Sequence, residues 1–251
     1  MMILKSPAEL AIMDRANALL HETLRLVVEA ARPGVSTWEL DRLAEEHIRA
    51  HGGVPAFKGY RGYPATLCTS VNDVIVHGIP SQTQRLRAGD ILGVDGGVVL
   101  DGFVGDAAVT VGIGDVAPEA ARLMQVTKQC LELAVDFVRP GQRLTDIGEV
   151  IQGHAESAGY SVVRELVGHG IGRAMHEDPQ VFNYGPGGRG PELRPGLVLA
   201  IEPMINAGKA GVSFDDDGWT ARTEDGKLSA HFEYSVAVTE NGPWVLGVGG
   251  R

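Results

Sequence analysis

The sequence predicts an α+β fold built of two similar halves related by a pseudo-twofold axis, with strands of both halves meeting between them. Two matches at one offset and a repeated order of elements carry that expectation. Arg32-Pro33-Gly34 returns as Arg139-Pro140-Gly141, and LRAGDILGVD at 86–95 returns as LRPGLVLAIE at 193–202; both shifts are 107 residues. In each half one helix precedes the Arg-Pro-Gly turn and another follows it, so what repeats is an architecture. The halves span about 1–113 and 114–251, and we expect one domain over 1–251. The second match also aligns Asp95 with Glu202, giving each half a carboxylate at the same place in its strand.

Composition narrows the classes of function. At 251 residues with 44% hydrophobic side chains, the chain has ample material for a buried core. The formal net charge is −10, and the 22 lysines and arginines are scattered. No basic stripe is available to track a phosphate backbone, so nucleic acid is not an expected partner. Cys68 and Cys130 are too few for a disulfide framework. No apolar stretch approaches the ~18 residues of a membrane span, and the opening MMILKSPAELAIMDR lacks the apolar centre of a secretory signal. The chain reads as cytoplasmic, with no membrane partner.

The first helix is announced by Ser6, Pro7 and Glu9, a capping box with proline at the first helical position. Ile12, Met13, Ala16, Leu19, Leu20, Leu24 and Val27 then recur at helical spacing up to Arg32-Pro33-Gly34. A second capping box, Ser36 to Glu39, opens a helix that turns Leu40, Leu43, Ala44 and Ile48 inward and stops at Gly52-Gly53. The corresponding helices of the second half run from about Ala117 to Val138 and from about Asp146 to Ala158.

Between the helix pairs, ILGVDGGVVL and FVGDAAVTV flank Asp101-Gly102, a favoured two-residue hairpin turn. That turn sets the register so that Asp95 lies opposite Ala108, and Asp106, two residues away, shares its face. The two aspartates become diagonal neighbours with alpha carbons roughly 7–8 Å apart or less. Carboxylates so placed on apolar strands repel and resist ionisation unless a cation joins them. The expected cation is a metal; the plainer alternative is a hairpin with a wet polar edge. Asp101 belongs to the turn.

Further ligands come from three places. VGHGIG at 167–172 sets His169 between glycines, which lets backbone and ligand approach closely. AIEPM at 200–204 puts Glu202 in an apolar run ended by proline, and HFEYSVAV at 231–238 alternates so that Glu233 shares a strand face with His231. Two Asp, two Glu and one His form the oxygen-rich set expected of a pair of hard or borderline divalent ions rather than a thiolate zinc site.

From about Ile3 to Gly242 the chain resembles the type I methionine aminopeptidases, whose pita-bread fold is shared with creatinases and proline-specific peptidases. The resemblance rests on GYPATLCTSVNDVIVHGIP at 62–80, the two aspartates, GHGIGRAMHEDPQV, AIEPM and LSAHFEYSVAVTENG. It implies two α+β halves around a central antiparallel sheet and a single catalytic domain. It implies two metal ions held by Asp95, Asp106, His169, Glu202 and Glu233, with Asp106 and Glu233 bridging. Cobalt, manganese, iron and zinc all suit that set. His77 and His176 would contact substrate and donate to the carbonyl oxygen and the tetrahedral intermediate. A hydroxide held between two cations roughly 3.5–4 Å apart is a nucleophile at neutral pH, and Glu202 is the expected proton acceptor. Tyr60, Tyr63, Cys68, Met175, Trp219 and Phe57 would line a methionine pocket. The implied enzyme is a methionyl aminopeptidase acting on nascent polypeptide N-termini near the ribosome, as a monomer, when the second residue is small. His21, His47, His51 and His154 match no motif and are expected to be solvated.

Several positions depart from the family pattern. Gly97, Ala107 and Ala200 stand where threonines are usual, which thins the hydroxyls around the ligands. His231, Tyr234 and Met175 stand where glutamine, histidine and phenylalanine are common. Two other readings stay open on the sequence: a proline-specific peptidase of the same fold, and a metal-free binding module.

Overall fold

The expected helices form where their caps place them. α1 (Pro7–Ala30) opens with Ser6 Oγ accepting the Glu9 backbone N–H while the Glu9 carboxylate accepts from the Ser6 backbone, and α2 (Thr37–Ala50) repeats this with Ser36 and Glu39. The second half contributes α3 (Pro118–Asp136) and α4 (Leu144–Ser157). α4 starts two residues before the expected Asp146, because the Asp146 carboxylate reaches back to accept the Arg143 backbone N–H at 2.7 Å. The two Arg-Pro-Gly turns agree in backbone form, with Gly34 at φ 93° and Gly141 at φ 88°, left-handed values that side chains resist. The computed structural model describes residues 2–249, so positions 1, 250 and 251 of the expected 1–251 span lie outside the described residues.

The strands of the first half are β1 (Val54–Pro55), β2 (Leu67–Val71), β3 (Val74–Val76), β4 (Ile91–Leu100) and β5 (Phe103–Gly112). Those of the second are β6 (Ser161–Val162), β7 (Gly168–Gly170), β8 (Glu177–Val181), β9 (Val198–Ile201) and β10 (Met204–Asn206), followed by β11 (Val212–Phe214), β12 (Ala221–Thr223), β13 (Ser229–His231), β14 (Glu233–Thr239) and β15 (Gly242–Val245). Nine of them make one antiparallel sheet in the order β1-β4-β5-β14-β9-β7-β8, with β2 also on β4 and β15 also on β14. The halves meet at β5 and β14 through Ala108 opposite Glu233 and Ala107 opposite Tyr234.

The hairpin register follows from its turn. Asp101 and Gly102 both take positive φ, 49° and 77°, as the tight turn requires. Leu100 then pairs with Phe103, Asp95 with Ala108 and Gly97 with Asp106. Alternation along the strands sorts the two faces. Leu92, Val94 and Ala107 pack with Leu20, Leu24, Leu40 and Ile48 of α1 and α2. Leu199, Ile201, Val236 and Val238 pack with Leu123, Cys130, Ile147 and Ile151 of α3 and α4. Asp95 and Asp106 therefore point away from the helices.

Two expectations are corrected. HFEYSVAV is not one strand: His231 ends β13, which pairs with β10, and Glu233 opens β14 of the large sheet. Buried Phe232 lies at the break and carries the chain from one sheet to the other. Three of the four helical histidines are not solvated. His47 Nδ1 lies 2.9 Å from Thr23 Oγ1, His154 Nε2 lies 3.1 Å from Gln129 Oε1, and the half-buried His21 ring, its Nε2 enclosed, meets Tyr234 edge-on. Of the four, His51 is exposed.

Gly105, one residue before Asp106, is where α1 lies directly on β5. A Cβ there would sit 2.9 Å from the Asn17 backbone nitrogen and 3.0 Å from the Ala16 carbonyl carbon. Because backbone cannot step aside as a side chain can, Gly105→Ala is expected to cost roughly 1–3 kcal/mol. Urea unfolding of the two proteins measures it, and a loss under 0.5 kcal/mol would count against so close a contact.

Candidate active site

Five neighbouring strands deliver one donor residue each. Asp95 lies on β4, Asp106 on β5, Glu233 on β14 and His169 on β7, while Glu202 directly follows β9. In the sheet these are consecutive, β4-β5-β14-β9-β7, so residues up to 138 positions apart in the sequence converge on one face. The glycines around His169 allow the close backbone approach that was expected of them. A Cβ on Gly168 would lie 2.4 Å from the Ala200 oxygen, and one on Gly170 would lie 2.2 Å from the Asp178 oxygen. They admit neighbouring backbone rather than a ligand. The segment 170–172 is tied down as well: Ile171 donates to Val198 O and Gly172 O accepts from Val104.

The His169 ring is oriented by its Nδ1, 2.9 Å from the Gly170 carbonyl. A carbonyl only accepts, so Nδ1 carries the proton and Nε2 offers its lone pair to the cluster. Nε2 lies 3.7 Å from Asp106 Oδ2 and 3.6 Å from Glu202 Oε1. Donor atoms of Asp106, His169 and Glu233 all fall within 4.8 Å of one another. Asp95 Oδ1, Asp106 Oδ1 and Glu233 Oε1 are buried without a hydrogen-bond partner.

Such a cluster strains to keep its charge. Burial, then the charge of Asp106, pushes Asp95 well above the usual carboxylate range. Burial pushes Glu202 and Glu233 the same way, with Asp106 adding to it. Asp106 rises to about 7 through burial, opposed by the Ala107 backbone N–H. His169 is driven down to about 4 by burial, with His176 adding to it. Orphaned carboxylate oxygens beside a neutral imidazole fit a divalent cation, which would replace the missing hydrogen bonds and oppose the repulsion.

Beside the cluster opens a cavity of about 200 Å³. Phe57, Tyr60, Tyr63 and Trp219 form an aromatic wall, with Cys68 and Met175 between. Tyr63 meets Trp219 edge-on at 5.1 Å and Phe57 at 6.5 Å, and its hydroxyl is satisfied by the Leu67 and Gly78 carbonyls. Burial, then the charge of Asp95, pushes the Cys68 thiol up, so it is neutral and behaves as apolar lining. Gly97 lies beneath this wall: a Cβ there would come within 3.0 Å of Phe57 and Met175. The absent threonine hydroxyl is thus the space those two side chains use.

His77 and His176 line the same cavity. His77 follows β3 at φ 62°, an uncommon value for a side chain with a Cβ and one found at functional sites. Burial, then His176, lowers its pKa to about 4. His176 stacks on Tyr60 and meets its hydroxyl through Nδ1 at 2.8 Å; burial, then Arg61, lowers its pKa.

Ser235, Thr110 and Arg61 escaped the sequence reading, and His231 enters it only as a strand-face neighbour of Glu233 and a departure from the family pattern. Ser235 Oγ donates to the Asp106 carbonyl at 2.9 Å and accepts its N–H at 3.3 Å. Thr110 Oγ1 makes the same double contact with the His231 backbone. His231 Nε2 is buried, unpartnered and 3.7 Å from Glu202 Oε2, and Arg61 lies at the cavity. Ser235 is two residues past Glu233 on one strand, which was the available signal. Ala107 points toward the helices and Ala200 pairs with His169 and Ser235.

Residues 11–240 match the family model described as metallopeptidase family M24. The chain is 50% identical over 246 residues to the methionine aminopeptidase of Clostridium acetobutylicum, covering 98% of each chain. It is 51% identical over 246 residues to that of Clostridium perfringens, again covering 98% of each. Among solved structures, the methionine aminopeptidase of Thermotoga maritima superposes with a TM-score of 0.97 at 43% identity, over 98% of this chain and 99% of that one.

The raised carboxylates set a pH dependence with a definite sign. Protons compete with a cation for Asp106 near pH 7, whereas His169 is already neutral there and releases none. Mn²⁺ is therefore expected to bind more tightly at pH 8 than at pH 6, expelling protons as it does so. Calorimetry in buffers of different ionisation enthalpy measures both; affinity independent of pH would contradict the burial of these groups.

Proposed function

The chain belongs to metallopeptidase family M24, and from that premise we propose how its own residues carry out the reaction. Its activity is that of a methionine aminopeptidase, the release of amino-terminal methionine from proteins and peptides. The observation that carries the detailed reading is the placement of five donors from five adjacent strands at the floor of a cavity walled by aromatic side chains. Asp95, Asp106, His169, Glu202 and Glu233 would hold two divalent cations, Asp106 and Glu233 shared between them. Bound there, such ions lower the pKa of water toward neutrality and polarise the scissile carbonyl.

The remaining steps belong to side chains. Glu202 is half-buried and the most open member of the acidic set, its side chain 15% exposed against 5% for Asp106. It takes the proton as water attacks and returns it to the leaving amine. His77 and His176, both neutral at physiological pH, each present one N–H; they bind the carbonyl oxygen as charge develops on it. Phe57, Tyr60, Tyr63, Cys68, Met175 and Trp219 exclude water and receive the unbranched methionine side chain. Both halves supply ligands, two from about 1–113 and three from about 114–251, so the chain acts as one catalytic domain. No helix among the described residues is long and apolar enough to cross a membrane. The proposed setting is a monomer in the cytoplasm, working on N-termini as they leave the ribosome.

Methionine should be released rapidly from Met-Ala-Ser and at a small fraction of that rate from Met-Leu-Ser, with Ala-Pro-Ser left intact. Equal rates on the first two would remove the small-second-residue rule, and cleavage of the third would favour a proline-specific peptidase. A second expectation separates ligands from donors. Asp106→Asn and Glu233→Gln should lose bound metal, whereas His77→Ala and His176→Ala should keep it while activity falls roughly 10²–10³-fold. Elemental analysis beside single-substrate kinetics decides this: a histidine variant that loses metal in step with activity is a ligand.

A further inference from the structure

Lys5 and Glu177 form an ion pair buried away from the acidic cluster. Nζ and Oε2 are 2.7 Å apart, and the two side chains are 3% and 7% exposed. The second carboxylate oxygen of Glu177, Oε1, accepts the backbone N–H groups of Arg173 at 2.9 Å and Ala174 at 3.3 Å. One acidic side chain thus spans the turn between β7 and β8 that presents Met175 to the cavity and His176 to Tyr60. Arg173, Ala174 and His176 are themselves exposed; the turn is held from the inside by buried Met175, by Arg173 over the Phe103 ring at 4.2 Å, and by the Glu177 carboxylate on its backbone. Lys5 is fixed in its turn: its backbone donates to Gly196 O at 2.7 Å and its ammonium to Ile3 O at 3.0 Å. Gly172 leaves room for the pair, since a Cβ there would lie 2.5 Å from Lys5 Cε and 2.6 Å from Glu177 Oε1. A second link joins the same two segments, Arg173 to Glu9 at 3.3 Å, but it is exposed and of the kind that contributes little.

We propose that Lys5 is a positioning residue: through Glu177 it holds the 173–176 turn, and so sets both the fit of Met175 to the substrate methionine and the aim of His176 at the reacting carbonyl. The proposal rests on the methionine aminopeptidase reading and adds to it a segment far from the chemistry in sequence. The reason lies in the cost of a lone buried charge. Without the ammonium, Glu177 must draw in water or swing outward. Either movement releases the two N–H groups it holds.

The test uses the metal-loaded protein and its Lys5→Met variant, with two readouts. Metal content should match the parent, while kcat/KM on Met-Ala-Ser falls roughly 10- to 100-fold, the scale expected of a misplaced catalytic group. KM should rise through Met175 and kcat should fall through His176. In parallel, amide hydrogen exchange at Arg173 and Ala174 should quicken at least about tenfold as their acceptor leaves. The double variant Lys5→Met/Glu177→Gln buries no lone charge and keeps an amide oxygen for the two N–H groups; it should regain most of the loss. If Lys5→Met does not fold, Glu177→Gln carries the test, because a neutral amide oxygen accepts the two N–H groups more weakly than a carboxylate does; exchange at both amides should then quicken about threefold or more. A lower melting temperature with kcat, KM and exchange all unchanged would make the pair merely structural and overturn the proposal. A parent protein that releases no methionine would instead overturn the activity, and the exchange measurement would still decide the role of Lys5.

Discussion

Four carboxylates forced together on the dry face of a sheet are the constraint on which the rest of this structure depends. Burial raises all four, and the charge of Asp106 raises the other three further. Left to themselves, such groups would swing out to water or keep their protons. What prevents the first is a rigid mount. Asp95, Asp106 and Glu233 sit within ladders whose opposite face is pressed against helices, and Ser235 grips the Asp106 backbone from the neighbouring strand. The second would be answered by a divalent cation, which membership of a metallopeptidase family implies and which the unsatisfied oxygens would accommodate.

Much of this was legible in the sequence because it is local. The Asp-Gly turn fixes the register of β4 and β5, and the register fixes Asp95 and Asp106 on one face. The capping boxes at Ser6 and Ser36 name their helices for the same reason: both partners lie within four residues. The internal repeat supplied the one long-range statement, that strands of both halves meet, and β5 and β14 do so.

What stayed hidden depends on contacts across the fold. The break at Phe232 leaves the alternation of 231–238 intact, so no periodicity could report that His231 and Glu233 belong to different sheets. The glycines beside His169 were read as places of close approach, but which backbone they admit, that of Ala200 and Asp178, is set across the fold. Gly97 looked like a lost hydroxyl and is the seat of Phe57 and Met175. His21 looked solvated because helix periodicity does not reveal what Tyr234 brings to it. In each case the residue type was read correctly and its neighbour was missing.

The two halves touch within the sheet through one short pairing, yet they divide the donor set between them, two residues on one side and three on the other. A cation bound by both halves is therefore also a clasp. Its binding free energy is drawn only when both halves are folded and aligned, so it adds to their cooperativity as well as to their stability. Stripped of metal, the seam would keep its ladder, the β3–β12 pairing and the apolar contacts that also join the halves, and the carboxylates across it would work against them. Ions held there would thus serve the chemistry and tie the two halves together at once.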